Sequence, residues 1–191
     1  MDKLKSALAF GGILSQSDIE TLAMHFRYRS VKAGEYIQEL DEVVSEILFL
    51  DSGILRIFGI DASGDDITKH FIRENQFFAN LESYYNKQPI NEAIQSVVSG
   101  GVYTINFLTF ERFLLEMPNL FILFKSISES TLLNKIKDND FLNFGDAKTK
   151  YLELLKRYPV LIKQVPQRYI ASYLKITPQS LSRIRKELSH H

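Results

Sequence analysis

Two apolar patterns meet at a turn near the end of the chain, in the stretch IASYLKITPQSLSRIRKEL at residues 170–188. Their apolar members follow the spacing of a helix, and these members are Ile170, Ala171, Leu174, Ile176, Leu181, Ile184 and Leu188. Thr177 is a residue type that caps helix N-termini, and Pro178 fits the first helical position, where its missing amide proton costs nothing. The stretch therefore predicts two short helices joined by a tight turn, and the second helix is basic and polar on its outside.

Composition places the chain among ordinary globular proteins. With 191 residues, 45% of them hydrophobic, it has enough apolar material for one good core and two small domains. The sequence contains no cysteine, which excludes disulfides, thiolate metal sites and cysteine nucleophiles. No segment has the length of a signal peptide or of a membrane span, so we expect a cytoplasmic protein without membrane contact. The terminal pair, His190 and His191, is interpreted as a tag remnant.

The charges are divided unevenly along the chain although the formal net charge is zero. Residues 1–147 contain 13 Lys and Arg against 21 Asp and Glu, a net of −8, whereas residues 148–191 contain 10 against 2, a net of +8. A short basic module on an acidic body suits attraction to phosphate. The same count also suits a solvated helical surface, and charge alone does not separate the two interpretations.

A region of short strands follows an N-terminal helix. Ser17 and Glu20 have the spacing of a capping box at the start of that helix. Its predicted apolar face is Ile19, Leu22, Ala23 and Phe26. We then predict strands at 31–38, 46–60, 66–73, 94–99 and 102–107, and a solvated hairpin turn at DASGDD, residues 61–66. This spacing predicts an antiparallel sandwich or barrel.

A long helix is predicted to begin at Pro118, in PNLFILFKSISESTLLNKIKDND. Its apolar residues thin into a stripe through Ile127, Leu132 and Ile136. A long amphipathic helix that leaves a small β domain commonly packs on a second copy of itself. Packing on its own barrel is the alternative. Phe144 and Gly145 are interpreted as the hinge that follows.

This order of parts resembles the Crp/Fnr superfamily of bacterial transcription regulators over nearly the whole chain. The resemblance rests on VKAGEYI and ILFLDSGILRIF in the β region, on the helix after Pro118, and on RYPVLIKQVPQRYIASYL and ITPQSLSRIRKEL. It implies an α+β fold, with an N-terminal antiparallel β-roll of jelly-roll type and flanking helices at 1–117, a dimerisation helix at 118–143 and a C-terminal helix-turn-helix domain at 144–191. It also implies a homodimer on a palindromic DNA site, with RNA polymerase as a further partner and no cofactor.

Two departures from the family pattern concern the DNA-binding domain. Lys175 stands at the turn where Gly is usual, and a lysine in a left-handed turn costs roughly 1 kcal/mol. The sequence ends three residues after Leu188, so we expect most of the β wing that usually follows the second helix to be missing.

The second helix of a helix-turn-helix lies in the major groove, where its N-terminal, outward side chains read bases. The residues predicted to read bases are Gln179, Ser180, Ser182 and Arg183. Arg makes bidentate hydrogen bonds to guanine, and Gln makes them to adenine. Gln179 stands where the family has Glu, while Ser182 and Arg183 match the family pattern. The residues predicted to hold phosphates, which position the domain without reading sequence, are Arg168, Lys175, Arg185 and Lys186. A merely solvated polar helix face is the plainer interpretation.

In the cyclic-nucleotide binders of this family, a Gly-Glu-Leu helix and a later Arg hold the ribose and the phosphate. Ala79 and Asn80 occupy the Gly-Glu positions here, and Asn91, followed by Glu92, occupies the Arg position. A buried phosphate would lack its bidentate partner and would face a carboxylate, so cyclic AMP is not expected as the effector. The candidate effector pocket, for which plain aromatic core is the stronger alternative, consists of Phe77, Phe78, Asn80, Leu81, Tyr84 and Asn91.

The sequence carries no recognisable catalytic motif. It has no phosphate loop, nucleotide fingerprint or nucleophile elbow, and His25 and His70 lack metal-ligand spacing, so neither an enzyme nor a metal site is expected. The sequence thus predicts a DNA-binding regulator. The alternative is a β-roll effector or signalling module whose C-terminal helices bind protein, and an exposed apolar patch at residues 179–186 would favour it over DNA binding.

Overall fold

The structure, a computed structural model, describes residues 1–189; the terminal pair, His190 and His191, lies outside the described residues. The strands are β1 (Arg27–Val31), β2 (Tyr36–Gln38), β3 (Glu46–Ile60), β4 (Asp66–Arg73), β5 (Gln76–Phe78) and β6 (Ala93–Asn106). The helices are α1 (Asp2–Leu8), α2 (Gln16–Ala23), α3 (Leu81–Asn86), α4 (Phe107–Glu116), α5 (Pro118–Phe144), α6 (Ala147–Arg157), α7 (Pro159–Gln164), α8 (Gln167–Leu174) and α9 (Pro178–Leu188). No helix of this described part is long and apolar enough to cross a membrane.

The sheet is antiparallel throughout and is built around two long strands, β3 and β6. Both strands bend at one place, where their pairing register shifts between Leu50 and Leu55. Gly53 has a φ of 94° there, and a Cβ on Gly100 would collide with the carbonyl oxygen of Ser52, so only glycine allows the two backbones to approach this closely. The bend folds the sheet into a roll, with β1 and β5 on one half and β2 and β4 on the other.

The predicted sandwich or barrel is confirmed as this roll, and the strands predicted at 46–60 and 66–73 coincide with β3 and β4. The two strands predicted at 94–99 and 102–107 are wrong, because they form the single strand β6. Gly100 and Gly101, which lie between the two predicted strands, do not form a turn. They allow β1 and β3 to lie close to β6. The strand predicted at 31–38 is wrong in its middle, because β1 ends at Val31 and β2 begins at Tyr36. The part of β1 before Val31 and the short strand β5 were not predicted.

The N-cap of α2 differs from the predicted one. Ser15, not Ser17, precedes the helix, and its hydroxyl accepts a hydrogen bond from the amide of Asp18 at 3.1 Å. Both serines have an acidic residue three positions later, so local spacing did not decide between them. The predicted apolar face is confirmed, since all four of its members are buried: Ile19, Leu22, Ala23 and Phe26.

The long helix α5 uses one face against its own chain and leaves the opposite face exposed. Ile127 packs against the core of the roll, whereas Leu132 and Ile136 are 59% and 51% exposed. The predicted stripe through these three residues is therefore wrong: a residue advances about 100° around a helix, which places Ile127 and Leu132 about 140° apart. The exposed apolar side chains of α5 are Phe121, Ile122, Leu132, Leu133, Ile136 and Phe144.

The C-terminal domain, built from α6 to α9, shares its core with the β-roll. Ile54 and Phe71 of the roll belong to the same buried cluster as the helices of this domain. The amide of Thr68 in β4 donates to the hydroxyl of Ser172 in α8 at 2.9 Å, and the ring of Phe71 meets that of Tyr173 edge-on at 5.2 Å. The first helix of the helix-turn-helix is therefore docked on the roll.

Candidate nucleic-acid interface and a polar cavity

Helices α8 and α9 form the predicted helix-turn-helix. Lys175 has φ 56° and ψ 45°, which confirms the left-handed turn between them, and the amide of Ile176 closes it by donating to the carbonyl of Ala171 at 3.0 Å. Thr177 is the N-cap of α9, since its hydroxyl accepts a hydrogen bond from the amide of Ser180 at 3.1 Å, and Pro178 occupies the first helical position as predicted.

The apolar residues that recur at helical spacing in residues 170–188 form the contact between α8 and α9. The buried members are Ile170, Ala171, Leu174, Leu181 and Ile184. Ile176 and Leu188 are half-buried and pack against this core. Because the buried side of α9 is fixed by Leu181 and Ile184, the opposite side of that helix must face solvent.

The solvent-facing side of α9 is polar and cationic. Directly opposite the buried side lie Gln179, Ser182, Arg183 and Lys186, all exposed; at about 100° per residue they fall within an arc of about 100°. Pro178 and Glu187 are also exposed, each about 40° beyond an edge of this arc, and Glu187 pairs with Lys148. Three of the four predicted base-reading residues are therefore together. The fourth, Ser180, is half-buried, and its hydroxyl accepts a hydrogen bond from the hydroxyl of Thr177 at 2.9 Å.

The four predicted phosphate-binding residues lie at separate places around this face. Lys186 shares the outward arc, and Arg185 is half-buried on its flank. Arg168, in the first turn of α8, is exposed and donates to the hydroxyl of Tyr169 at 2.8 Å. Lys175 donates to the side-chain oxygen of Asn143 at 3.0 Å, which leaves its charge uncompensated because Asn is neutral.

Most cations of the C-terminal domain have no ion-pair partner in the part of the chain that the structure describes. Lys148 pairs with Glu187, and Arg157 pairs with Asp138 and Glu153. The remaining eight are Lys150, Lys156, Lys163, Arg168, Lys175, Arg183, Arg185 and Lys186. The domain therefore presents an uncompensated positive charge of the kind that attracts phosphate.

A polar cavity lies between the β-roll, α5 and α8. Its volume is about 440 Å³, and it is lined by Ile57, Lys69, His70, Phe78, Ala79, Asn80, Leu81, Glu92, Lys135, Asp138, Asn139, Leu142 and Tyr173. We call it the junction cavity. Of the six residues predicted to form an effector pocket, the structure brings only Phe78, Asn80 and Leu81 to it.

The other three predicted pocket residues lie elsewhere. Phe77 belongs to the core of the roll and faces a different cavity beside α1, and Tyr84 is buried with its ring stacked on Phe107 at 3.7 Å. Asn91 is exposed, and its amide donates to the backbone oxygen of Ile60 at 3.0 Å. The proposed grouping of six residues into one pocket is thus corrected.

Glu92, and not Asn91, faces the junction cavity next to α3. Lys69 donates to one oxygen of its carboxylate at 2.9 Å, and the amide of Asn80 donates to the other at 3.2 Å. Asn80 also caps α3, because its side-chain oxygen accepts a hydrogen bond from the amide of Ser83 at 3.1 Å. A protein carboxylate therefore already takes the available donors at this end of the cavity.

His70 and Tyr173 complete the cavity from the roll and from α8. Burial, together with the charges of Lys135 and Arg73, lowers the pKa of His70 to about 4, so the imidazole is neutral at pH 7. Burial also raises the pKa of the Tyr173 hydroxyl, which stays protonated. Neither residue was predicted to line a pocket, because His70 and Tyr173 come from distant segments and belong to no motif.

A β-roll followed by a long helix and a helix-turn-helix is the fold of the Crp/Fnr regulators, and the resemblance seen in the sequence is confirmed at the level of the fold. FixK2 from Bradyrhizobium japonicum is similar with a TM-score of 0.71 at 17% identity, over 86% of this chain and 85% of that chain. The c-di-GMP responsive global regulator CLP of Xanthomonas campestris is similar with a TM-score of 0.72 at 12% identity, over 92% of both chains. The catabolite activator protein of Thermus thermophilus is similar with a TM-score of 0.57 at 15% identity, over 96% of this chain and 87% of that chain. No protein-family profile matches the chain, and no curated protein matches it in sequence.

Proposed function

We propose that this protein is a DNA-binding transcription regulator that acts as a homodimer on a palindromic site. The observation that carries the proposal is the outward face of α9, where Gln179, Ser182 and Arg183 lie together and no large apolar side chain of the helix is exposed. Such a face suits hydrogen bonding to base edges in the major groove. It does not suit a protein-binding helix, which would present an apolar patch.

The exposed face of α5 supports the dimer. Its apolar side chains, including Ile122, Leu132 and Ile136, lie opposite the face that packs on the roll. A second copy of α5 would bury them, as in other helices that pair through an apolar seam. A two-fold dimer would also provide two recognition helices for two half-sites about 34 Å apart.

The junction cavity supports independence from cyclic AMP. The carboxylate of Glu92 is held by Lys69 and Asn80, so a phosphate placed there would face a negative charge and compete for occupied donors. We expect titration calorimetry with cyclic AMP and cyclic GMP to show no specific binding. A micromolar dissociation constant for either nucleotide would contradict this part of the proposal.

Selection of bound sequences from random DNA tests the function directly. We expect a palindromic consensus with half-sites one helical turn apart, and an affinity that falls steeply as salt rises because phosphates are neutralised. Binding of random duplex with equal affinity, or no binding at low salt, would contradict the proposal. Capture of a protein by the unmodified chain and its loss on Arg183→Ala would favour the protein-binding alternative instead.

A further inference from the structure

We propose that the junction cavity binds a small organic acid that has one carboxylate and an apolar body. The cavity volume of about 440 Å³ lies within the range of small-molecule sites, about 300–1,000 Å³. Binding of such an acid does not depend on the proposed DNA-binding function. Only its regulatory consequence does.

Three polar groups of the cavity have no hydrogen-bond or ion-pair partner within residues 1–189: the hydroxyl of Tyr173, the imidazole of His70 and the ammonium group of Lys135. Tyr173 is 4% exposed, His70 is half-buried and Lys135 is exposed, so these donors face the cavity or solvent rather than being sealed in the core. Neutral His70, Tyr173 and Lys135 can all donate, and a carboxylate accepts several such bonds at once. The unused donors therefore point to an oxygen anion.

The charges that are already paired limit the anion to a single negative charge. Lys69 is engaged by Glu92, and Asp138 accepts from the hydroxyl of Tyr158 at 2.9 Å and from Arg157 at 3.2 Å. Lys135 is then the one uncompensated cation that lines this cavity in the described chain. A dianionic phosphate would exceed this charge and would face two carboxylates, whereas a monocarboxylate matches it.

The remaining walls of the cavity define the rest of the ligand. They are apolar and consist of Ile57, Phe78, Leu81 and Leu142. These side chains offer a surface for a short aliphatic or aromatic body and no further polar recognition. A ligand of this class contacts the roll through His70, α5 through Lys135 and the first helix of the helix-turn-helix through Tyr173.

This contact with three elements has a consequence that rests on the proposed function. If the protein binds DNA as proposed, then an acid in the cavity changes the relation of α8 to the roll and hence the affinity for DNA. The binding test below uses no DNA, so a negative result there and a failure of the proposed function can be told apart.

Titration calorimetry on the full chain tests the proposal with two acids, phenylacetate and hexanoate, their uncharged amides, and inorganic phosphate. We expect both acids to bind at least about tenfold more tightly than the amides, because the amides lack the charge that Lys135 and the neutral donors recognise. Phosphate should not bind in the cavity. Equal binding of acids and amides, or no binding of either acid at about 10 mM, would overturn the proposal.

Two variants connect the binding to the cavity. Lys135→Met should lower the affinity for the acids by about tenfold. Tyr173→Phe, which keeps the ring against Phe71, should lower it by about fivefold. Lys137→Met is the matched control, because Lys137 is an exposed lysine of the same helix that does not line the cavity. The affinity of this variant for the acids should be unchanged. Unaltered affinity in Lys135→Met would show that the acids bind elsewhere.

Discussion

The guanidinium carbon of Arg56 lies 3.7 Å from the centre of the Tyr169 ring, so a charged side chain of the β-roll is covered by the first helix of the helix-turn-helix. Arg56 is 2% exposed, and its guanidinium carbon also lies 4.1 Å from the centre of the Phe58 ring. Its N–H groups donate to both carboxylate oxygens of Asp66 at 2.7 and 2.6 Å and to the side-chain oxygen of Gln95. The two domains therefore meet around a buried, fully paired cation. Removing one partner of such a pair strongly lowers the stability of a fold.

Replacing this cation should loosen the domain contact. Arg56→Met removes the guanidinium's hydrogen bonds to Asp66 and Gln95 and its contact with the Tyr169 ring, and we expect the free energy of unfolding in urea to fall by about 2–4 kcal/mol. Tyr169→Leu keeps the pair with Asp66 and removes the ring together with its hydroxyl, which accepts a hydrogen bond from the exposed Arg168, so it should cost about 1–2 kcal/mol. Hydrogen exchange should accelerate in α8 in both variants. Unchanged protection of α8 in Arg56→Met would mean that the docking depends on the apolar core alone.

Dimer formation should depend on the exposed face of α5. A carboxylate at Leu132 or Ile136 would have to be buried between the two helices, so Leu132→Glu and Ile136→Glu should weaken the dimer by at least about a hundredfold. Light scattering at micromolar concentration measures this. Asn134→Glu is the control, because Asn134 lies on the side of α5 that faces α1, and it should stay dimeric.

Ile127→Glu should act differently from these two variants. Ile127 packs against the core of the roll, so its replacement should lower the free energy of unfolding rather than yield a stable monomer. A monomeric unmodified chain, or a stable dimer of Leu132→Glu, would contradict the assignment of the interface.

Arg183 and Arg185 should differ in their effect on DNA binding. Arg183→Ala should cost about 1–3 kcal/mol per half-site on the selected sequence and relax the preference at one base pair, since Arg183 lies on the outward arc of α9. Arg185→Ala, on the flank, should weaken all sequences alike and reduce the salt dependence by about one unit per half-site. Affinities for selected and random duplex at several salt concentrations separate the two effects.

Lys32→Ala, which removes an exposed cation of the roll, serves as the control and should change neither affinity. If Arg183→Ala lost the same affinity for the selected and for the random duplex, Arg183 would not be a base-reading residue.

The left-handed turn at Lys175 offers a test of backbone strain. Lys175→Gly and Lys175→Ala both remove the hydrogen bond to Asn143, and they differ only in the Cβ that is crowded at φ 56°. We expect the Gly variant to be more stable than the Ala variant by about 1 kcal/mol in urea. Equal stability would show that this domain accommodates the left-handed conformation without cost.

His70 should make stability fall in mild acid. Its pKa is lowered to about 4 in the fold, whereas an exposed His in the unfolded chain has a pKa of about 6.5, so only the unfolded chain takes up a proton between these values. The contribution of the neutral imidazole is fully present above pH 6.5, and about 3 kcal/mol of it is lost by pH 4. Carboxylates titrate in part of the same range, so the quantity to measure is the difference between the urea-unfolding curves of the unmodified chain and His70→Gln. A pH-independent difference would contradict the neutral state of half-buried His70 in the fold.

The sequence alone determined the helix-turn-helix and much of the roll. Thr177, Pro178 and the helical spacing of the apolar residues predict the two helices correctly. They do so because caps and helical faces depend on residues within a few positions of one another. The strands β3 and β4 and the turn between them were predictable for the same reason, since alternation and turn residues are local signals. Ser15 and Ser17 mark the limit of such signals, because both satisfy the same local rule.

Only the tertiary structure decided which side of each element is used and which distant residues meet. Ile127 and Leu132 look alike in the sequence, yet one packs on the roll and the other stays exposed because the roll covers a single side of α5. The junction cavity likewise joins His70, Lys135 and Tyr173 from a strand and two helices that are far apart in the chain. No spacing rule connects such residues, since their proximity is set by how the elements pack rather than by the periodicity of any one of them.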